Sequence, residues 1–182
     1  AVSAGCHPAA SVAEAVKGAD IVITMLPAGT HVRAVYGDEV LAHAPKSALL
    51  IDCSTIDVDS ARAVGEQARA AGLRFADAPV SGGIMAAEAG SLAFMVGCEA
   101  DDYAAFEDAL TPMARAVFHA GGLGSGQAAK ICNNMLLGIS MIGTCEAFAL
   151  AEKLGLEPER FFEIASKSSG QCWSLTSYSP WP

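Results

Sequence analysis

The stretch Ala114 Arg115 Ala116 Val117 Phe118 His119 Ala120 Gly121 Gly122 Leu123 Gly124 Ser125 Gly126 Gln127 Ala128 Ala129 Lys130 Ile131 Cys132 Asn133 Asn134 decides how this chain is organised. It opens as a short apolar run of strand type, passes through a series of glycines, and then continues with no strand-like break as far as Leu154. Lys130 is the one ordinary charged side chain between Arg115 and Glu146. Burial disfavours an ammonium, so a lysine in so apolar a run is expected to have a lowered pKa and to exchange protons near neutrality, as a general acid/base must.

Upstream of the glycines, nearly continuous apolar runs alternate with segments of helical periodicity. The strand candidates are residues 20–26 (DIVITML), 48–53 (ALLIDC), 73–80 (LRFADAPV), 92–96 (LAFMV) and 114–119 (ARAVFH). They lack polar alternation, which predicts strands covered on both faces. Between them, Ser11 Val12 Ala13 Glu14 forms a capping box, residues 57–71 form a helix stopped by Gly72, and residues 101–110 form another. Strands alternating with helices imply a mostly parallel sheet joined by right-handed crossovers.

Downstream the chain becomes all-helical. Residues 127–154 read as one long helix, apolar nearly all round and therefore expected to be buried, and a fresh helix over 158–167 opens at Pro158. The fold class is α/β over residues 1–121, followed over 122–182 by the start of an all-α domain with a long buried helix.

Bulk properties narrow the function. With 52% hydrophobic and 17% charged residues the chain has ample core material. A formal net charge of −9, without any Lys/Arg cluster, excludes a phosphate-backbone footprint, so no nucleic-acid partner is expected. The apolar windows at 20–27 and 135–144 are too short or too broken by Gly and Ser for membrane spans, so no membrane association is expected. Cys6, Cys53, Cys98, Cys132, Cys145 and Cys172 lie far apart with no CxxC pair or signal pattern. They predict reduced, buried thiols in a reducing compartment, cytoplasm or mitochondrial matrix, and His7, His31, His43 and His119 add no metal-ligand spacing. The first residue is Ala1, and the last four, Ser179 Pro180 Trp181 Pro182, close no element, so the chain reads as an excerpt of a longer protein.

Several segments are candidates for chemistry. The glycines before Lys130 follow a strand and open a helix, as a phosphate loop does. Their spacing is GxGxG rather than GxGxxG, however, and Gln127 rather than Lys follows Gly126. They read better as a hinge and a place of close backbone approach. Lys130 and Asn134, four apart, share a helix face and can converge on one polar group, or Lys130 can reach solvent while Asn134 caps a neighbouring turn. In Asp77 Ala78 Pro79 Val80 Ser81 Gly82 Gly83 a hydroxyl and two glycine N–H groups are suited to a carboxylate, or form a plain turn. With MLPAG (25–29) and DCSTI (52–56), three strand ends carry small or polar residues, the pattern of a cleft floor at a parallel sheet's carboxyl edge. Cys172, Trp173, Tyr178 and Trp181 suit a pocket wall, a subunit contact or simple packing.

Taken in order, MLPAG, DCSTI, DAPVSGG with residues 86–90 behind it, and GSGQAAKICNN resemble the successive signatures of the β-hydroxyacid dehydrogenase family. The resemblance runs over essentially the whole chain. It implies a partial Rossmann-like dinucleotide-binding domain, NAD as cofactor with NADP not excluded, a small 3-hydroxy acid as substrate, and a homo-oligomer formed through the helical domain. It also implies that Lys130 takes the substrate hydroxyl proton as hydride leaves the neighbouring carbon, with Asn134 orienting lysine and hydroxyl. Ser81, Gly82 and Gly83 are implied to hold the substrate carboxylate, and Leu26, Pro27, His31 and Thr55 to line the dinucleotide. The family's GLGxMG loop and its later KDLGLA-type segment are absent from these 182 residues, so the segment by itself is expected to bind NAD weakly or not at all and to fold poorly. Imine-reductase relatives usually replace the lysine, and non-catalytic relatives used for assembly lose it and carry basic regions. Lys130 and the acidic balance separate this chain from both.

Overall fold

A computed structural model describes residues 2–179; the sequence readings at Ala1, Pro180, Trp181 and Pro182 lie outside the described residues. The chain forms two compact units, Ala1–Lys130 and Ile131–Pro182.

The first unit is a layered α/β structure. Helix α1 (Val12–Val16) has the expected cap, the Glu14 N–H donating to Ser11 Oγ at 3.1 Å, but the reciprocal bond is shifted by one residue: the Ala10 N–H, not that of Ser11, donates to Glu14 Oε2 at 2.7 Å. Strand β1 (Ile21–Thr24) leads to α2 (Gly29–Val35), which passes through a π-helical turn at Tyr36–Val40 into the short α3 (Leu41–His43). Strand β2 (Leu49–Asp52) is followed by α4 (Val58–Ala70). Asp57 caps α4 by accepting the Ser60 N–H, and Gly72, at φ +70°, ends the turn beyond it. Strands β3 (Arg74–Asp77) and β4 (Val80–Ser81), helix α5 (Gly83–Glu88), strand β5 (Leu92–Gly97), helix α6 (Tyr103–Leu110) and strand β6 (Ala114–Gly121) complete the layer, and α7 (Ser125–Lys153) begins within it.

The sheet runs β1-β2-β3-β5-β4, with β6 also paired to β5. The pairs β1–β2, β2–β3 and β5–β6 are parallel, as expected. Strand β5, however, runs antiparallel to β3 and β4, which corrects the expectation of parallel neighbours there. Only ten residues, 82–91, link β4 to β5, fewer than the dozen or more that a parallel crossover takes. Residues 73–80 are likewise two strands rather than one, because Pro79 lacks the N–H that a continuous ladder needs.

Strand β2 is buried along its whole length, and its side chains feed both cores. Leu50 joins Val22, Val32, Tyr36, Val64 and Phe75 on one face of the sheet. Leu49 and Ile51 join Phe94, Val96, Phe106 and Leu110 on the other. Strand β1 departs from the two-sided expectation, since Val22 is buried while Ile21 and Ile23 are exposed.

In the second unit, the rest of α7 is joined by α8 (Pro158–Ala165) and α9 (Trp173–Thr176) around Phe148, Ala165 and Leu175. The long helix is present, but its expected burial is not. Met135 is 65% exposed and Ile142 67%; in this unit α7 is buried only at Thr144, Phe148 and Ala151. By length and composition alone α7 is long and apolar enough to cross a membrane, which the sequence windows had not suggested. All six cysteines are free, but only Cys53 and Cys98 are buried; Cys6, Cys132 and Cys145 are exposed, contrary to expectation, and the last two share that uncovered helix.

The start of α7 packs onto the sheet at backbone distance. A Cβ on Gly126 would overlap Met95 O and would lie 2.5 Å from Asp77 O and 2.8 Å from Asp77 Oδ2. Backbone cannot yield cheaply, so Gly126→Ala should destabilise by about 3 kcal/mol, lowering the melting temperature by roughly 6–12 °C. Gly138→Ala, with nothing within 4 Å, serves as the control and should be neutral or stabilising in the same calorimetric scan.

Candidate functional site

Three residues that share one register define the carboxyl edge of the parallel strands: Thr24 on β1 pairs with Asp52 on β2, which pairs with Asp77 on β3. Both carboxylates are wholly buried. Asp52 Oδ1 accepts from Thr24 Oγ1 at 2.8 Å, Ser54 Oγ at 2.6 Å and the Ser54 N–H at 3.3 Å, while its Oδ2 has no partner. Thr24 spends its proton on Asp52, so the Tyr36 hydroxyl donates to Thr24 at 3.0 Å. Ser54 Oγ also accepts the Leu26 N–H at 2.7 Å, which ties the end of β1 to the end of β2. Burial outweighs these donors and raises the Asp52 pKa; it also lifts the Tyr36 phenol well above its usual value and the Cys53 thiol to about 12. Cys53 is therefore a protonated packing group rather than a nucleophile.

Asp77 works in a different direction. Its Oδ1 accepts the Gly124 N–H at 2.7 Å and its Oδ2 the Gln127 N–H at 2.9 Å, so the carboxylate closes the N-terminus of α7 from the neighbouring strand. The anion position at this helix end is thus already filled by the protein's own carboxylate. Within the run, Gly124 and Gly126 are close-packed, Gly124 against Arg62 and Val58 and Gly126 against Met95 and Asp77, while Gly122 is exposed. The Gln127 side chain, fully buried, spans to the loop after β2: Oε1 accepts the Ile56 N–H at 3.0 Å and Nε2 donates to Ser54 O at 2.7 Å.

The sequence-derived residues fall around this framework. Leu26, half-buried, and Pro27, exposed, follow β1; His31 is exposed on α2; Thr55 is exposed within the loop that Gln127 grips. Ser81 is half-buried at the end of β4, paired with Ala93 of β5. Gly82, at φ +131°, and Gly83, at φ +66°, open α5, and a Cβ on Gly82 would overlap that of Ala86. Lys130 is half-buried on α7, three residues beyond Gln127. No hydrogen bond or ion pair holds its ammonium among the described residues, and burial alone draws its pKa below the ordinary lysine value. Asn134 lies one turn further along α7, exposed and within the second unit. Trp173 and Tyr178 stack on each other with centroids 5.6 Å apart.

Sequence reasoning gave no role to Asp52, Asp77 or Gln127. The signal was available for the two aspartates, since each interrupts a largely apolar run, the same oddity that singles out Lys130. The Gln127 contacts span 71 and 73 residues and leave no local trace.

The carboxyl ends of parallel strands are where α/β sheets bind ligands, and here apolar and hydroxyl side chains stand at those ends. The comparisons with known proteins agree. The chain belongs to the family described as the NAD-binding domain of 6-phosphogluconate dehydrogenase, whose model matches residues 1–122; a second model, NAD-binding of NADP-dependent 3-hydroxyisobutyrate dehydrogenase, matches residues 124–181. The resemblance to the β-hydroxyacid dehydrogenases is thereby borne out. Over 183 residues the chain is 51% identical to 3-hydroxyisobutyrate dehydrogenase and 49% identical to NAD-dependent L-serine dehydrogenase, both from Pseudomonas aeruginosa, with 100% of this chain and 61% of each relative covered. Among solved structures, Mycobacterium tuberculosis 3-hydroxyisobutyrate dehydrogenase with L-serine superposes with a TM-score of 0.90 at 47% identity, covering 95% of this chain and 59% of that one. The chain therefore spans about three fifths of the length of the relatives it matches.

The residues present fit the flanks of a dinucleotide. Leu26 and Pro27 offer apolar surface for a ring face, and Thr55 offers a hydroxyl at the adjacent strand end. Within the glycine run at α7, the Gly124 N–H is already held by Asp77, as is that of Gln127 just beyond it.

Burial pushes the Asp77 pKa up to about 6, despite the two N–H groups it accepts and with a smaller contribution from the neighbouring Asp52 charge. An aspartate in the unfolded chain titrates near ~4, so between these values the folded state binds the extra proton. Stability from this group is full at the acid end and falls as pH rises through about 6, by up to roughly 3 kcal/mol. Urea unfolding at pH 4, 5, 6 and 7 should show this decline in the native sequence and a flatter profile in Asp77→Asn; parallel profiles would contradict it.

Proposed function

We propose that the complete protein is an NAD(P)-dependent dehydrogenase that oxidises 3-hydroxyisobutyrate to methylmalonate semialdehyde, as valine breakdown requires, with NAD the first expectation and NADP the alternative. Residues 1–121 serve as its dinucleotide-binding half and 122–182 as the start of its helical domain. One observation carries the reading: a half-buried lysine, with no anion holding it, lies three residues beyond the point where its helix is fixed to the sheet. Such a lysine has a larger neutral fraction than an exposed one and can accept a proton.

The substrate carboxylate is assigned to the Ser81 hydroxyl and the N–H groups of Gly82 and Gly83. The hydroxyl then faces Lys130, oriented together with Asn134. Lys130 Nζ takes the hydroxyl proton as the C–O bond becomes a carbonyl and the adjacent C–H pair departs as hydride; the reverse reaction returns that proton. The nicotinamide, when bound against Leu26, Pro27, His31 and Thr55, supplies the hydride acceptor. Fixing carboxylate and hydroxyl at two points supplies much of the rate, and proton transfer by the lysine adds on the order of 10² to 10⁴.

L-Serine is a second reading of substrate, favoured by the 49% identity to an enzyme of that name; it is also a 3-hydroxy acid, so the roles above are unchanged. A tartronate semialdehyde reductase is a third member of the same chemical class. The apolar, uncovered side chains of α7 support self-association of the complete protein, and six free thiols support a reducing compartment, cytoplasm or mitochondrial matrix.

In the complete protein, Lys130→Ala should lower kcat by 10² to 10⁴ while NADH affinity, read by fluorescence titration, stays within a few-fold. Assays with 3-hydroxyisobutyrate, L-serine and tartronate semialdehyde, each with the NAD and NADP couples, then fix the substrate. Retained turnover in Lys130→Ala, or no turnover of any of the three by the native protein, would overturn the reading.

A further inference from the structure

A buried carboxylate, Asp77, is tied to the elements that carry both groups assigned to substrate, Ser81 and Lys130, and hydrogen-bonds to neither. Asp77 is four residues before Ser81 along the chain, and Ala78 and Pro79 between them are buried. Across space, Asp77 holds the first turn of α7 at two points, Oδ1 on Gly124 N–H and Oδ2 on Gln127 N–H. A single bond would leave the helix free to pivot. Two bonds, one from each carboxylate oxygen to N–H groups three residues apart, fix both the axial position and the rotation of that turn. Lys130 follows one turn later on the same continuous helix, so its place is set by this grip.

The surroundings leave the carboxylate no slack. A Cβ on Gly97, its register partner across the sheet, would overlap Asp77 Oδ1 and come within 2.8 Å of Gly126 N. A Cβ on Gly126 would lie 2.8 Å from Asp77 Oδ2. Two glycines thus make room for one side chain, and that side chain sets the spacing between helix and sheet. Gln127, whose N–H Asp77 holds, extends the link: both polar ends of its buried amide are bound to the loop that carries Thr55. Strand β3, the loop 54–56 and the Lys130 turn are therefore one hydrogen-bonded assembly.

We infer that Asp77 is a positioning residue for Lys130, and that Gln127 couples the Lys130 turn to the Thr55 loop on the cofactor side. This rests on the dehydrogenase reading of Lys130 given above. Asp77 sets where the lysine amine stands relative to the substrate hydroxyl, and Gln127 sets where Thr55 stands relative to the cofactor. The two residues accordingly affect different kinetic constants, which damage to the fold in general would not do.

The test uses the complete protein, with active sites counted by NADH binding so that misfolded molecules do not enter kcat. Asp77→Asn keeps the shape and one acceptor oxygen but presents an NH2 group to the second N–H. It should lower kcat at least tenfold and change the KM for NAD less than threefold. Gln127→Met keeps the volume and loses both loop bonds; it should raise the KM for NAD at least fivefold, with the smaller effect on kcat. Asp77→Asn turning over within twofold of the native enzyme per active site would overturn the positioning role. Equal effects of both variants on kcat and KM would overturn the division of labour. If Asp77→Asn does not fold, Gln127→Met decides, and an unchanged KM overturns the inference. Lys130→Ala in the same series separates the two claims. Its retained activity defeats the dehydrogenase assignment, whereas its loss alongside a normal Asp77→Asn defeats only this inference.

Discussion

The burial of the Asp77 carboxylate against the first turn of α7 is the interaction on which the first unit depends. Taking a carboxylate out of water is costly, and the pKa of about 6 shows that the cost is only partly recovered by two N–H groups and the favourable end of a helix dipole. The arrangement persists because the alternative is worse. Without an acceptor at that place, two buried N–H groups would lose their partners, at ~1–3 kcal/mol each. An apolar residue of the same size would leave the long helix unregistered on the sheet.

The same logic extends across the strand ends. Thr24, Asp52, Asp77 and Gly97 form one row through consecutive register pairs. Its two carboxylates face opposite tasks. Asp52 gathers Thr24 and Ser54, and through Ser54 the Leu26 N–H, and so fixes the strand ends assigned to the dinucleotide. Asp77 fixes the helix assigned to proton transfer. Two neighbouring buried carboxylates repel when both are charged, which contributes to the raised pKa of Asp77. This is a stability cost accepted at the edge of the sheet where chemistry is placed.

What could be read from residues alone follows from the range of the forces involved. Strands β1, β2 and β5 announce themselves through local apolar runs, and the capping box at Ser11 and the stop at Gly72 through local backbone chemistry. The antiparallel course of β5 was missed because strand direction depends on the length of the 82–91 link, not on the composition of the strand. The tight packing at glycines 124 and 126 left no local trace because the groups that crowd them, Arg62, Met95 and Asp77, lie far away in sequence. Lys130 was legible because a charge in an apolar run is a local anomaly. Asp52 and Asp77 were the same anomaly at strand ends, where an aspartate is easily taken for a turn residue.

The exposure of α7 has its own physical consequence. Met135, Ile139 and Ile142 recur at helical spacing, with Leu136 beside them, and each is more than 60% exposed. Burying four such side chains is worth roughly 1.5–3 kcal/mol apiece, so a surface of this kind is stable only when something covers it. Length and composition would also permit a bilayer as the cover. The two ends of the helix differ from this middle: its first turn carries buried hydrogen bonds to the sheet, and Phe148 near its other end is buried with Ala165 and Leu175, so what its apolar middle lacks is the packing that both ends already have.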